Sequence, residues 1–362
     1  MTIPENRVSR VTRREVVRAG AVAGGAVAAL AAGIRGGVAQ DSATPDASPV
    51  VAQVGGSVVV YSGRNEELIG PAIEVASERT GVAAEVRYGG TAELAATLLE
   101  EGDNTPASLY IAQDAGALGQ LANEGLLAEL PEDLLSRVDE RFRSPEGRWV
   151  GVSGRARVLV YNTDMVSQEQ LPASVKDLTG AEWTDQVGWA PENASFQSFV
   201  TAFRRLEGDD AAREWLQAMI DNGAQTYESN GAIVRAVAAG EIPVGLVNHY
   251  YKFEIEAEEG PLPIDNHYFE GGDPGSLVNV AGVGVLASGP DQEQALAIVD
   301  AFLTPEIQTY FAETTFEYPL IEGVPTAEAL RPLDEIQSPD LDLSDLDDLQ
   351  GTLEMLAEVG AL

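Results

Sequence analysis

The chain has 362 residues, of which 44% are hydrophobic and 22% are charged, a balance typical of globular proteins. At about 150 residues per domain, this length predicts two domains, each with a core of its own. Acidic residues outnumber basic ones by 58 to 22, and the net charge of -36 excludes nucleic acid as a partner, because phosphate backbones are bound by clustered Lys and Arg. Cysteine is absent and only two histidines occur, which excludes disulfides, thiolate metal sites and cysteine nucleophiles and favours a binding protein over an enzyme.

The N-terminal segment is typical of an export signal. Arg13 and Arg14 precede an apolar run rich in Ala and Gly over residues 19–34, and small residues follow where a signal peptidase would cut. The arginine pair resembles that of a twin-arginine signal. The alternative is a membrane anchor with a basic flank, although the run is short and Gly-rich for a bilayer span. We therefore predict a signal peptide over 1–39, a flexible leader over 40–56, and a protein in the periplasm or on the outer face of the cell envelope.

From Ser57 onward, short β-branched runs alternate with helical periodicity, which predicts an α/β fold with helices covering a parallel sheet. The first region contains three strand–helix units. Its predicted elements are strands over 58–61, 84–88 and 108–112, and helices over 66–80, from the N-cap Thr91 to Gly102, and from the N-cap Asp114 to Gly125. Because ligands bind beyond the carboxyl ends of such strands, residues 62–65, 89–91 and 113–114 are candidates for a site.

The second region repeats this alternation. Its predicted elements are strands over 158–161, 187–190 and 242–247, helices that begin near 194 and 232, either a strand pair or one long strand over 277–286, a helix over 291–303, and an amphipathic closing helix over 344–362. Polar residues again follow the strands and precede the helices. The glycines match no nucleotide-binding pattern.

Four stretches of the chain, taken in order, resemble the signature stretches of ferric-iron-binding proteins of ABC importers. They are residues 60–68 (VYSGRNEEL), 153–158 (SGRARV), 193–196 (NASF) and 247–251 (VNHYY). The resemblance extends from about Ser57 to the C-terminus. It implies that the protein captures ferric iron with a synergistic anion between two lobes. It also implies that the protein is a monomer without enzymatic activity, and that it delivers the iron to the permease and ATPase of an ABC transporter.

The same resemblance implies a two-lobe periplasmic-binding-protein type II fold with hinge strands between the lobes. Carried onto this chain, lobe 1 comprises residues 57–157 and 278–332, and lobe 2 comprises 158–277 and 333–362. The chain crosses between the lobes near 153–158 and near 278–285. Closure of the hinge around a bound solute is the expected motion.

Tyr250 and Tyr251 are the predicted metal ligands. Fe(III) is a hard Lewis acid that prefers anionic oxygen ligands, and tyrosine supplies a phenolate when the metal displaces its proton. In a strand the two rings would point to opposite faces, whereas on the first turn of a helix both can approach one point near the positive end of the helix. The alternative is a pair of packing aromatics. We expect His249 to form hydrogen bonds and His267 to be structural or exposed.

Asn65 and Gln113 are weaker predicted ligands. They stand where many members of the family have a histidine and a glutamate, and their amide oxygens are poor ligands for Fe(III). Tyr61 and Tyr88 are possible replacements, although Tyr61 ends a core strand.

A bound anion, either phosphate, carbonate or citrate, is expected to fill the remaining coordination positions. The predicted anion-binding residues are Ser153, Arg155, Asn193, Ser195, Asn230 and Asn248. Arginine and the free N–H groups at helix starts suit such a ligand. The alternative for each helix-start asparagine is a cap, and the alternative for Arg157 is a salt bridge between the lobes. The competing function is an ABC-importer receptor for a small inorganic or organic anion without iron, which would use the same groups.

Overall fold

The computed structural model describes residues 53–362. The predicted signal peptide and the leader up to residue 52 lie outside the described residues. The last leader residues contact the fold, because the N–H groups of Val54 and Gly55 donate to the carbonyl of Thr80 at 2.9 and 3.1 Å.

The described residues form one mixed sheet of nine strands. In chain order these are β1 (Ser57–Ser62), β2 (Ala83–Tyr88), β3 (Leu109–Ala112), β4 (Val150–Asn162), β5 (Val187–Trp189), β6 (Gln225–Thr226), β7 (Val244–Asn248), β8 (Ile264–His267) and β9 (Val278–Val285). Their order across the sheet is β2-β1-β3-β9-β4-β7-β5-β6, and β8 also pairs with β4. Strands β1, β2 and β3 are parallel, whereas β9 runs antiparallel to both β3 and β4.

Eleven helices accompany these strands within the described residues. They are α1 (Glu66–Thr80), α2 (Thr91–Glu101), α3 (Ala115–Asn123), α4 (Glu132–Leu135), α5 (Ala194–Glu207), α6 (Asp209–Asp221), α7 (Asn230–Ala238), α8 (Tyr250–Glu259), α9 (Gln292–Phe302), α10 (Pro305–Glu313) and α11 (Leu349–Glu358). Among residues 53–362, every helix is too short or too polar to cross a bilayer.

Strand β4 is much longer than its predicted core at 158–161. All of its residues are buried, and it pairs with β9 in its first half and with β7 and β8 in its second. Its first half contains two glycines, which are depleted in strands, so tertiary pairing decides its conformation. The segment predicted over 277–286 is the single strand β9.

Three helices differ from the predictions in their N-terminal caps or in being divided. The N-cap position of α2 is Gly90, and the Thr91 hydroxyl donates instead to the carbonyl of Gly63 at 3.1 Å. The cap of α7 is Ser229, which makes Asn230 the first residue of that helix. The predicted closing helix is divided into a short 3-10 turn at Leu343–Asp347 and α11.

Three hydrophobic clusters make up the core. Strand β4 contributes Ala156 to the first cluster, Leu159 to the second and Val158 to the third. Leu346 packs in the first cluster and Leu356 in the second. The chain thus leaves the first cluster within 153–158, the segment predicted to cross between the lobes. The lobe boundaries themselves stay a prediction.

Candidate metal-binding site

Tyr250 and Tyr251 occupy the first turn of α8, directly after β7. Their rings stack with centroids 4.3 Å apart and planes 27° apart, so both side chains lie on one side of the helix. Tyr250 is buried and Tyr251 is half-buried. Burial, followed by the neighbouring Tyr251, raises the pKa of Tyr250 well above its usual value, whereas Arg155 acts in the opposite direction. Loss of the Tyr250 proton therefore needs a strong electrophile.

The tyrosine pair opens into a cleft of about 560 Å³ that residues of both predicted lobes line. The lining residues are Gly63, Asn65, Glu67, Leu68, Gln113, Asn193, Ala194, Ser195, Tyr250, Tyr251, Glu254, Ala257, Glu258, Thr314 and Phe316. Six of the predicted site residues are thereby brought together. The other four, Ser153, Arg155, Asn230 and Asn248, are buried and do not line the cleft.

Asn193, Ser195 and Asn230 form one hydrogen-bonded group at the cleft. The Oδ1 atom of Asn193 caps α5 by accepting from the Ser195 N–H at 3.0 Å, and it also accepts from the Ser195 hydroxyl at 2.6 Å. The Nδ2 atom of Asn230 donates to the Ser195 Oγ at 3.1 Å, while its Oδ1 has no protein partner. Asn193 therefore has the alternative role considered for it, that of a helix cap, and it also lines the cleft.

Arg155 and Arg157 follow each other along β4 and are both 2% exposed. An Nη atom of Arg155 donates to the Gln113 carbonyl, but its Nε and its other Nη have no protein partner. Arg157 lies about 5 Å above the rings of Phe196 and Phe199 and donates to the Leu246 carbonyl. Burial lowers the pKa of Arg157 to about 9. Arg157 forms no ion pair with another described residue, so the interlobe salt bridge is wrong.

Arg64 and Glu317 form a buried ion pair that sequence reasoning missed. The Nη atoms of Arg64 donate to Glu317 Oε2 and to Ser153 Oγ, both at 2.9 Å. Burial would raise the pKa of Glu317, but Arg64 and Arg155 more than offset it, so this pKa is lowered. The Ser153 hydroxyl thus bonds to an arginine rather than facing the cleft. Arg64 follows β1 at its carboxyl end, which is the only local signal of its role.

His249 bonds to the backbone through both ring nitrogens. Its Nδ1 accepts from the Ala156 N–H at 3.1 Å, and its Nε2 donates to the Phe316 carbonyl at 2.8 Å. Burial lowers the pKa of His249 to about 4. Tyr61 and Tyr88, the possible replacement ligands, do not line the cleft, and the Tyr61 hydroxyl donates to Glu101 at 3.1 Å.

Three carboxylates of the cleft, on Glu67, Glu254 and Glu258, were also missed. Glu254 and Glu258 stand one and two turns after the tyrosine pair on α8. Residues three or four apart on a helix share a face, so this spacing was a usable signal in the sequence.

Residues 104–343 match the model of a family described as bacterial extracellular solute-binding protein. The Fe(3+)-binding periplasmic protein of Serratia marcescens is 33% identical over 308 residues, which cover 84% of this chain and 90% of that relative. The chain belongs to this solute-binding protein family. An extracellular family agrees with the predicted export, whereas the twin-arginine route stays a prediction.

Two solved structures of this fold resemble the chain closely. Iron-bound HitA from Pseudomonas aeruginosa has a TM-score of 0.79 and 32% identity, and the match covers 84% of this chain and 99% of that one. The Trichodesmium protein IdiA, or FutA, in complex with iron and citrate has a TM-score of 0.74 and 26% identity, with the same coverage. These likenesses confirm the predicted α/β, type II periplasmic-binding-protein fold.

Proposed function

We propose that this solute-binding protein captures ferric iron in the cleft and delivers it to the permease and ATPase of an ABC importer. The observation that carries the proposal is the stacked pair of tyrosines on the first turn of α8, with both residues lining one cleft. Two phenolates at one point suit a hard trivalent cation. The names of the relatives and the iron in the two solved structures support the same cargo.

A receptor for an anion without iron is less well supported. In such a receptor the phenols would stay neutral and serve only as hydrogen-bond donors, a role that does not require two tyrosines stacked on each other. The relatives and the two solved structures are named for iron rather than for an anion alone.

We propose that a synergistic anion completes the site. Asn65 and Gln113 are weak, neutral ligands for Fe(III), so two phenolates leave coordination positions of the metal open. The two guanidinium nitrogens of Arg155 that have no protein partner would supply positive charge and free N–H donors, which supports an anion beside the cleft. Phosphate, carbonate or citrate would supply the missing oxygens, and citrate accompanies iron in the Trichodesmium structure.

The long strands β4 and β9 are the proposed hinge. They pair with each other at the centre of the sheet, and each extends to strands on both sides. Rotation about them would move the Asn65 side of the cleft toward the tyrosines. The relatives named above are binding proteins, which supports a transport role without catalysis.

Ferric titration of tyrosine variants tests this function. Tyr250→Phe and Tyr251→Phe each delete one phenolate oxygen but keep the ring, so each should lower ferric affinity roughly 100-fold or more, a loss of about 3 kcal/mol. Each should also bleach the visible phenolate-to-iron band. Tyr61→Phe, outside the cleft, is the control and should keep the wild-type ferric affinity and the visible band. A competing chelator in anion-stripped buffer holds the iron in solution.

The same titration, repeated with added phosphate, carbonate or citrate, tests the anion. Affinity should rise with the anion, Arg155→Ala should remove most of that rise, and Arg157→Ala should remove less. Unchanged ferric affinity in both tyrosine variants would contradict the iron proposal, and anion binding in iron-free buffer would then favour the alternative receptor.

A further inference from the structure

Helix α8 carries a carboxylate on the same face as the tyrosine pair. Glu254 stands four residues after Tyr250 and three after Tyr251, the two spacings that place side chains together on a helix. All three residues line the same cleft, followed one turn later by Ala257 and Glu258. One helix therefore presents two phenols and a carboxylate to one space.

Glu254 has no protein partner. Its side chain is half-buried and forms no hydrogen bond or ion pair with another described residue. The other charged groups of the helix are already paired, since Lys252 bonds to Asp265 at 3.0 Å and Glu258 pairs with Arg235 at 3.2 Å. An isolated carboxylate that is partly removed from water is unfavourable unless something compensates it.

The electrostatics of the cleft agree with this isolation. Burial, with a further contribution from Glu317, raises the pKa of Glu254 to about 7. Arg64 acts in the opposite direction but is bonded to Glu317 and Ser153. A cation that enters the cleft would offset the free-energy cost of ionising the Glu254 carboxyl.

The other side of the cleft lacks such a charge. Asn65 and Gln113 reach the cleft with neutral amides, which are weak ligands for Fe(III) beside a carboxylate. We propose that Glu254 supplies a carboxylate oxygen to ferric iron held by Tyr250 and Tyr251. The third anionic ligand then comes from α8 itself rather than from the facing side. This inference rests on the proposed function.

Two phenolates and one carboxylate balance the charge of Fe(III). The positions that remain are open to the synergistic anion and to water, so the two proposals are compatible. The three protein ligands would all belong to one helix, which makes initial capture of iron independent of closure of the cleft.

Glu254→Gln tests this assignment because it keeps the shape of the side chain and removes its charge. In anion-stripped buffer with a competing chelator, we expect ferric affinity to fall at least tenfold. The phenolate-to-iron band should move to longer wavelength, because iron that loses an anionic ligand accepts charge more readily. Glu258→Gln and Glu67→Gln, in the same cleft, are matched controls and should change affinity less than threefold. The ferric affinity of Glu254→Asp should lie between those of the wild type and Glu254→Gln.

The outcomes separate this inference from the proposed function. If wild-type protein shows the tyrosine band while Glu254→Gln keeps its affinity and its wavelength, Glu254 is no ligand and the iron function stands. Equal losses in Glu254→Gln and Glu258→Gln would also overturn the assignment, because they indicate general electrostatics. If wild-type protein binds no ferric iron, the proposed function fails and this inference fails with it. If it binds iron without any tyrosine band, the tyrosine site is wrong and the assignment of Glu254 is overturned.

Discussion

His249 directly precedes the tyrosine pair, yet its ring is committed to the fold. Its Nδ1 accepts from the backbone of β4, its Nε2 donates to the Phe316 carbonyl, and its ring stacks on Tyr318 with centroids 4.6 Å apart. A proton on Nδ1 would face the Ala156 N–H, so protonation breaks a hydrogen bond as well as charging a buried ring. The residue therefore fixes the position where α8 begins.

Stability should fall in acid because of His249. Its pKa is about 4 in the folded protein and about 6.5 in an unfolded chain, so the unfolded state binds the proton first as pH falls. The contribution of neutral His249 to the free energy of unfolding is complete above pH 6.5. It decreases by about 3 kcal/mol as the pH falls to 4. An NMR titration of the imidazole protons in iron-free protein measures this pKa, and His267→Gln assigns the signal by removing the other histidine. An imidazole that titrates near pH 6.5 in this variant would contradict the expectation.

Individual residues differ in how far their sequence context reveals them. Tyr250 and Tyr251 can be identified because they follow a strand and adjoin each other. The pair of Arg64 and Glu317 cannot, because 253 positions separate the two residues and nothing in the sequence links Arg64, in the stretch 60–68, to Glu317. Only the fold brings them together beside Ser153. Glu254 could have been predicted from its helical spacing to the tyrosines once α8 was recognised as a helix.

At the scale of elements, α3 packs against the 3-10 turn Leu343–Asp347 with almost no separation. A Cβ atom added at Gly119 would lie 2.5 Å from the Ser344 carbonyl oxygen, and one added at Gly116 would collide with the Leu346 carbonyl. The obstacle in each case is backbone, which cannot rotate away. The two glycines, three residues apart, give α3 the flat face that this contact requires.

Replacing Gly119 should therefore destabilise the fold. Gly119→Ala forces α3 away from the 3-10 turn, and we expect the free energy of unfolding to fall by about 1–3 kcal/mol. Gly231→Ala in α7 is the matched control, since its Cβ atom would meet nothing closer than 3.5 Å. That control should leave stability unchanged or raise it by about 0.5–1 kcal/mol. Urea denaturation of both variants measures the difference, and equal effects would show that the contact is not tight.

Elements whose ends carry clear signals were predicted, whereas helices α4, α6 and α10 and the strand segments fixed by distant pairing were not. Helix α1 was predicted over 66–80 and is Glu66–Thr80, because a capping Asn65 and the left-handed Gly81 mark its ends. The first half of β4 was missed, because Gly and Ser within it resemble a loop and its pairing with β9 lies far along the chain. The prediction of one continuous closing helix was wrong at Asp348. This residue caps α11 and does not continue a helix from the 3-10 turn.

At the scale of the whole molecule, charge is distributed unevenly between surface and interior. The chain has a net charge of -36, while Arg64, Arg155 and Arg157 are buried near the cleft. The surface field attracts cations and repels anions, whereas the buried arginines favour an anion that has already entered. The same surface charges repel one another, and this repulsion opposes compaction.

Salt should consequently stabilise the folded protein. The Debye length falls from about 30 Å at 0.01 M to about 3 Å at 1 M salt, so added salt screens the repulsion among surface carboxylates more than it weakens buried ion pairs. Relief of even one like-charged pair at 4 Å in water contributes about 1 kcal/mol, and we expect the free energy of unfolding to rise by at least that amount between these two concentrations. Urea denaturation in sodium chloride measures the change. Choline chloride is the control, because it screens equally but its large cation binds carboxylates poorly. A rise in both salts identifies screening, a rise in sodium chloride alone identifies bound cations, and constant or falling stability in both would contradict self-repulsion of the acidic surface.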